Sequence, residues 1–251
     1  MGKKNKMIYA ATPRLRIARP LARVRQGKVD WYKIRNSIDG PTEVSIYDEI
    51  GYFGVTAKDF IRDLSKVEAD AITLRLNTPG GEVFDGIAIY NALASHPAKI
   101  HVMVDSLAAS IGSVIAMAGD TITMAATGTM MIHDGFGMCV GNAAEMRETA
   151  ELLDKTSDNI ASIYADRTGK PAADWRAAMR SETWYSADEA VAAGLADAVA
   201  PRKGSPPKNS WNLAIYQTAA DLAPATVPDE TPDVDDPAFE TLRRGVLAAL
   251  A

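Results

Sequence analysis

Two neighbouring stretches restrict the fold more than anything else in the chain. Each is a β-rich run that stops at a turn of small residues and passes at once into a helical pattern. The first is "AITLRLN" (71–77), "TPGG" (78–81) and "VFDGIAIYNALASH" (83–96); the second is "KIHVMV" (99–104), "DSLAAS" (105–110) and "IGSVIAMAG" (111–119). Parallel strands need a crossover, usually a helix, so this alternation predicts an α/β domain with a mainly parallel sheet. Other segments extend the pattern. "EVSIYDEI" alternates apolar and polar residues as a strand does. "TAKDFIRDLSKV" offers Thr56 as a helix cap and sets Phe60, Ile61 and Leu64 on one helix face. "TITMAA" and "TMMIHD" read as short strands, and "NAAEMRETAELLDKTSDNIASIYADRTG" as one long helix.

Around this core the composition shifts twice. Residues 1–29 form a basic arm: positions 1–35 hold eleven Lys and Arg against a single acid, Asp30, although the net charge of the chain is −5. Such an arm predicts a solvated leader, or a weak contact with nucleic acid or an acidic partner. Residues 30–200 are the dense core. Residues 201–251 open on "PRKGSPPKNS", continue as the Pro-rich acidic "APATVPDETPDVDDPAFE", and close on a short apolar helical pattern, "FETLRRGVLAALA". No apolar run is long enough to span a bilayer and the N-terminus lacks a signal-type segment, so the expected location is the cytoplasm, with no membrane partner. The lone Cys139 excludes an internal disulfide. With His96, His101 and His133 as the only histidines, no zinc site and no cofactor are expected.

Three features could carry chemistry. In "LRLNTPGGEV" the glycines Gly80 and Gly81 leave backbone N–H groups uncovered, as an oxyanion hole requires, though a plain tight turn reads equally well. Neither phosphate-binding pattern, GxxxxGK[ST] or GxGxxG, is present. Ser110 stands where the second strand gives way to a helix. There it serves either as a cap for free N–H groups or as a nucleophile favoured by the helix terminus, with Gly112 and the alanines beside it keeping the site open. Ser106 and Ser113 read as packing or capping residues. His133, at the end of an apolar strand and before a glycine-bearing turn, is the histidine best placed to act as a base; a structural role is the alternative. Its orienting acid could be Glu182, Asp134 or Asp174, because Asp188 and Glu189 belong to a capping box, "SADE" (186–189).

Taken in order, "LNTPGG", "AASIG", "MIHDGFG" and "WYSADEAVAAGLAD" resemble the ClpP-like serine peptidases, and "SIYDEIGYFGVTAKDF" resembles their phage head-maturation (prohead) branch. The resemblance covers about residues 30–200. It implies the ClpP/crotonase-like spiral of ββα units with a protruding handle helix. It implies Ser110 as nucleophile, His133 as general base, and the backbone N–H groups of Gly81 and Ile111 as oxyanion hole. The third catalytic position falls on Glu182, where such peptidases usually carry Asp. It further implies a polypeptide substrate bound as an extended strand, a homo-oligomer of stacked rings, and capsid or scaffold proteins as substrates, handled with or without an ATPase. Other readings are a catalytically inactive shell or scaffold component and a crotonase-type acyl-CoA enzyme. A serine–lysine dyad is disfavoured, because no lysine lies between Lys99 and Lys155.

Overall fold

The computed structural model of the chain describes residues 31–35, 41–51 and 56–201. The basic arm (1–29), and all of the acidic tail (201–251) but Pro201, lie outside the described residues.

Eight strands form one sheet in the order β1 (Tyr32–Arg35), β2 (Thr42–Ile46), β3 (Ala71–Thr78), β4 (Lys99–Ala109), β5 (Thr121–Ala125) and β8 (Ala198–Ala200). Two further strands leave that path: β6 (Thr129–Ile132) pairs with β4, and β7 (Thr183–Ser186) pairs with β6. Pairing is parallel throughout, except for the antiparallel pairs β1–β2 and β6–β7. The mixed α/β architecture expected from the alternating pattern is therefore present.

The period-2 pattern explains which face is covered. Ile72, Leu74 and Leu76 of β3 and Ile100, Val102 and Val104 of β4 point into the core. They meet Phe60 and Leu64 of α1 (Ala57–Leu64), Ile89 and Leu93 of α2 (Val83–Ala94), and Val114 and Ile115 of α3 (Ile111–Ala116). Each such side chain contributes about 1.5–3 kcal/mol by leaving water. Thr73, Arg75 and His101, one residue out of phase, lie on the opposite, partly open face. Thr56 caps α1 as expected, with its N–H donating to the Asp59 carboxylate at 3.2 Å. The "SADE" box is likewise formed at the start of α6 (Ala187–Ala193), where the Ser186 N–H donates to Glu189 Oε2 at 2.8 Å.

Two expectations change at the second turn. The strand does not stop at Val104 but continues to Ala109, and the helix after it has only six residues. The cause is a change of partner: residues 101–104 of β4 pair with β5, whereas Leu107, Ala108 and Ala109 pair with Thr129, Met130 and Met131 of β6. Between the two sets the register against β3 slips, from Leu76↔Val104 to Thr78↔Ala108. A pattern dominated by Ala and Ser reads as helix until a second strand is available to pair with it.

The long helix α4 (Ala143–Thr168) spans 26 residues, ~39 Å at 1.5 Å per residue. Its N-terminal half carries one buried residue, Thr149, and stands out from the body; its C-terminal half buries Ile160, Ala161, Ile163 and Tyr164. This is the protruding handle. Helix α5 (Ala172–Arg180), missed in the sequence, packs Trp175 and Met179 inward against it.

The helices nearest the second turn approach closely at Gly86, where a Cβ would stand 2.1 Å from Ile111 Cγ1. Gly86→Ala should therefore destabilise the fold by about 1–3 kcal/mol, an overpacking cost. Thermal unfolding of the purified variant reads this directly, and an unchanged Tm would mean that the α2–α3 contact yields freely.

Candidate active site

β4 delivers Ser110 at its end, and the backbone there is unusual. Ser110 has φ 54° and ψ −128°, one of two non-glycine residues with positive φ among the described residues. Conformations of this kind cost ~1–3 kcal/mol and persist only where surrounding contacts enforce them. Three contacts do so. The Ser110 N–H donates to the Met131 carbonyl of β6 at 2.9 Å. The Ser110 carbonyl accepts from the Ser113 hydroxyl, which stands 2.7 Å from the Tyr164 hydroxyl of the handle helix. Burial pushes the Tyr164 phenol far above its ordinary pKa, so it stays protonated, and because the Ser113 proton goes to the Ser110 carbonyl, Tyr164 is the donor to Ser113. Ser113 is thus a buried relay holding the turn.

Ser110 occupies the N-cap position of α3 but makes no side-chain cap hydrogen bond. Its Oγ lies instead 2.7 Å from His133 Nε2. His133 directly follows β6, so the pairing of β6 with the far half of β4 brings the two side chains together. Part of the ring remains open to solvent, but protein crowds most of it, and desolvation lowers its pKa from the ordinary 6.5 to about 4. A neutral imidazole can accept the hydroxyl proton. The exposed Phe136 ring stands 5.6 Å from the His133 ring.

The glycine turn lies against this pair. A Cβ on Gly80 would sit 2.8 Å from both the Ala109 carbonyl and Ser110 Cβ, and Gly80 and Gly81 have φ 98° and 152°. Both positions therefore require glycine. Ile50 bridges Gly81 by donating to the Gly80 carbonyl at 2.8 Å and accepting from the Glu82 N–H at 3.0 Å. Along an extended chain the peptide groups alternate, so the Gly81 N–H points to the side away from Ile50. Ile111 is the first residue of α3, whose early N–H groups lack intrahelical acceptors. With only six residues, α3 acts through these individual donors rather than through a long dipole. Gly112 does not keep the site open, as the sequence suggested, but lets the turn close on β3: a Cβ there would meet Thr78 Cγ2 at 2.6 Å.

Of the three candidate acids, Glu182 lies where the strand register leads to His133. β6 and β7 pair Ile132 with Thr183, so His133 and Glu182 each adjoin the last registered pair. Glu182 is the second non-glycine residue with positive φ, at 45°, and its Oε1 accepts from the Trp184 indole N–H at 3.2 Å. Asp134 is ion-paired with Arg176, and Asp174 is exposed in the first turn of α5. Sequence reasoning missed Tyr164 and Arg176, which carry no local signature: a tyrosine and an arginine on amphipathic helices announce no long-range partner. His96 and His101 lie away from the pair; His96 Nδ1 accepts from the Ala98 N–H, and His101 Nδ1 lies 2.9 Å from Thr121 Oγ1. Among the described residues no group of three or more His, Cys, Asp or Glu could hold a metal ion, and no helix is long and apolar enough to cross a membrane.

A serine forced onto a strand-to-helix turn, with its hydroxyl on a neutral imidazole and a glycine turn packed against it, is the arrangement of a serine hydrolase. Comparison with known proteins gives the class a family. The sequence model of the Clp protease family matches residues 25–203. The ATP-dependent Clp protease proteolytic subunit 1 of Protochlamydia amoebophila is 32% identical over 152 residues, 57% of this chain and 74% of the relative. The proteolytic subunits of Cycas taitungensis and Angiopteris evecta are 36% and 35% identical over 128 and 136 residues; these cover 50% and 53% of this chain, and 66% and 69% of the relatives. The chain belongs to the Clp protease family and is a serine-type peptidase.

The buried imidazole should remain neutral at pH 6 and titrate near 4, which NMR of the ring resonances measures. The unfolded chain protonates the same group at its ordinary 6.5, so acidification from 6.5 towards 4 favours unfolding. A native-state titration at or above 6.5 would show that burial does not govern this ring.

Proposed function

We infer that the chain is a serine endopeptidase in which Ser110 is the nucleophile, His133 the general base and Glu182 the orienting acid. The observation that carries this reading is the 2.7 Å contact between Ser110 Oγ and His133 Nε2 at a backbone turn held in strain. In this mechanism His133 takes the hydroxyl proton as Ser110 Oγ attacks the scissile carbonyl. The N–H groups of Gly81 and Ile111 receive the oxyanion; His133 then hands the proton to the leaving amine, and water hydrolyses the acyl-enzyme. Glu182 offers its carboxylate to the far ring nitrogen. The substrate runs as an extended strand beside the glycine turn, on the side of Gly81 away from Ile50.

The setting is a homo-oligomer of rings stacked through the handle. The exposed Met146 and Leu152 on the projecting half of α4 support that role. The substrate class is capsid or scaffold protein trimmed during phage head maturation, in host cytoplasm or procapsid. What supports this finer reading is the segment "SIYDEIGYFGVTAKDF" and the charged extensions flanking the matched region. The alternatives of an inactive shell and of a crotonase-type acyl-CoA enzyme are both disfavoured by the contact between the Ser110 hydroxyl and the neutral His133 imidazole.

Incubation with a fluorophosphonate should add one covalent mass at Ser110, and Ser110→Ala should abolish peptide hydrolysis while leaving assembly intact. A wild type that takes no label, or a fully active Ser110→Ala, would overturn the assignment. Co-expression with neighbouring capsid proteins followed by intact-mass analysis tests the substrate class, since only the active chain should shorten them. Separately, Glu182→Gln should lower kcat by about ten-fold or more if this carboxylate orients the imidazole. An unchanged kcat would move the role elsewhere.

A further inference from the structure

Among the described residues, Arg176 is the basic side chain that pairs with the most carboxylates. Its side chain is 7% exposed, and it forms ion pairs with three carboxylates: Asp134, Asp154 at 2.8 Å and Asp158 at 2.7 Å. Asp154 and Asp158 lie on the handle helix α4, with side chains 72% and 67% exposed, while Asp134 directly follows His133. A solvated surface arginine would gain little from such pairs; one buried to this degree is committed to them.

The same helix holds the rest of the loop. The Met179 carbonyl, three residues beyond Arg176 on α5, accepts from the Asp134 N–H at 3.2 Å and from the Glu182 N–H at 3.0 Å. One carbonyl thus fixes the residue after the candidate base and the candidate acid together. Handle residue Ser157, itself buried, accepts the Gly135 N–H through its Oγ at 3.0 Å. The loop that follows His133 is therefore pinned at Asp134 and Gly135, and Arg176 is the side chain that ties α5, α4 and Asp134 into one unit.

We propose that Arg176 is a positioning residue for catalysis, which sets His133 against Ser110 by locking the Asp134 loop to α5 and the handle helix. This rests on the reading of Ser110 and His133 as nucleophile and base. Asp134 is not a rival to Glu182 as the orienting acid but an anchor for the residue beside the base.

The test compares full-length Arg176→Ala, Arg176→Lys and Asp134→Asn with the wild type. The readouts are the rate of fluorophosphonate labelling at Ser110 and kcat for a peptide substrate, both per titrated active site, so that loss of folded protein does not count as loss of chemistry. Arg176→Ala and Asp134→Asn should each slow labelling and kcat by about ten-fold or more with KM changed little, as a misplaced base does. Both should also shift the acid limb of the labelling rate against pH. Arg176→Lys, which keeps the charge but not the planar fork, should recover part of the rate. If Arg176→Ala does not fold, Asp134→Asn decides, since it leaves Arg176 its two handle partners. Wild-type rates per active site and an unmoved pH profile in Asp134→Asn would overturn the proposal while the peptidase reading stands. A wild type that never labels would overturn the peptidase reading itself, and this proposal with it.

Discussion

The structure depends on one strand serving two partners along a single edge. β4 pairs with β3 along one side, and along the other with β5 at residues 101–104, then with β6 at residues 107–109. Where the partner changes, the register of β4 against β3 shifts as well, between Leu76↔Val104 and Thr78↔Ala108. Asp105 stands at that point. Its buried carboxylate accepts from Arg75 Nε at 3.0 Å, and from a second guanidinium nitrogen and the Tyr47 hydroxyl at closer range. Arg75 comes from β3 and Tyr47 from the chain just after β2, so three consecutive segments of the sheet converge on the bend. An apolar residue at position 105 would bury as well, but would leave the guanidinium and phenol without the partner that draws them there.

From this bend the nucleophile and the base are placed by different means. Ser110 is held by short-range geometry: its own N–H on Met131, its carbonyl on Ser113, and Gly80 packed against its Cβ. These contacts lie within a few residues of a strand end and offset a backbone strain of ~1–3 kcal/mol. His133 follows a strand of four residues whose further partner, β7, is also of four residues. A ribbon that short is marginal by itself, so the position of the imidazole has to come from β4 on one side and α5 on the other.

That division explains what the sequence revealed and what it concealed. Ser110 and the glycine pair were legible because a turn that demands positive φ and close approach leaves few residue types to choose from, and they stand beside recognisable strand patterns. Gly86 and Gly112 were not legible as contacts, since a helical glycine shows nothing of the side chain that will lie against it. The strand character of "DSLAA" was hidden for another reason: Ala and Ser carry weak β-preference, and only the arrival of β6 makes them a strand. Glu182 was suggested by the family resemblance alone; its neighbour Thr183 pairs with Ile132, the residue before His133, a proximity that only the register of β6 with β7 reveals. Arg176 left no trace, because its three carboxylates are 18 to 42 positions away and a lone arginine in a short helix reads as surface.

The two modes of placement also differ in what can disturb them. The turn at Ser110 is enclosed: Ile111, Gly112 and Ser113 are all buried, and Tyr164, which steadies Ser113, is 1% exposed. Its geometry can change only if the core changes. The base is tied through Asp134 and Gly135 to α5 and to residues of the handle whose carboxylates face solvent. Two of these ties are backbone N–H bonds, Asp134 to the Met179 carbonyl and Gly135 to Ser157 Oγ, and the third is the ion pair with a buried Arg176, so the base depends on α5 and α4 as well as on its own strand. The 2.7 Å separation of hydroxyl and imidazole thus rests on the sheet, through the bond of the Ser110 N–H to Met131 of β6, and on the helices that hold Asp134 and Gly135.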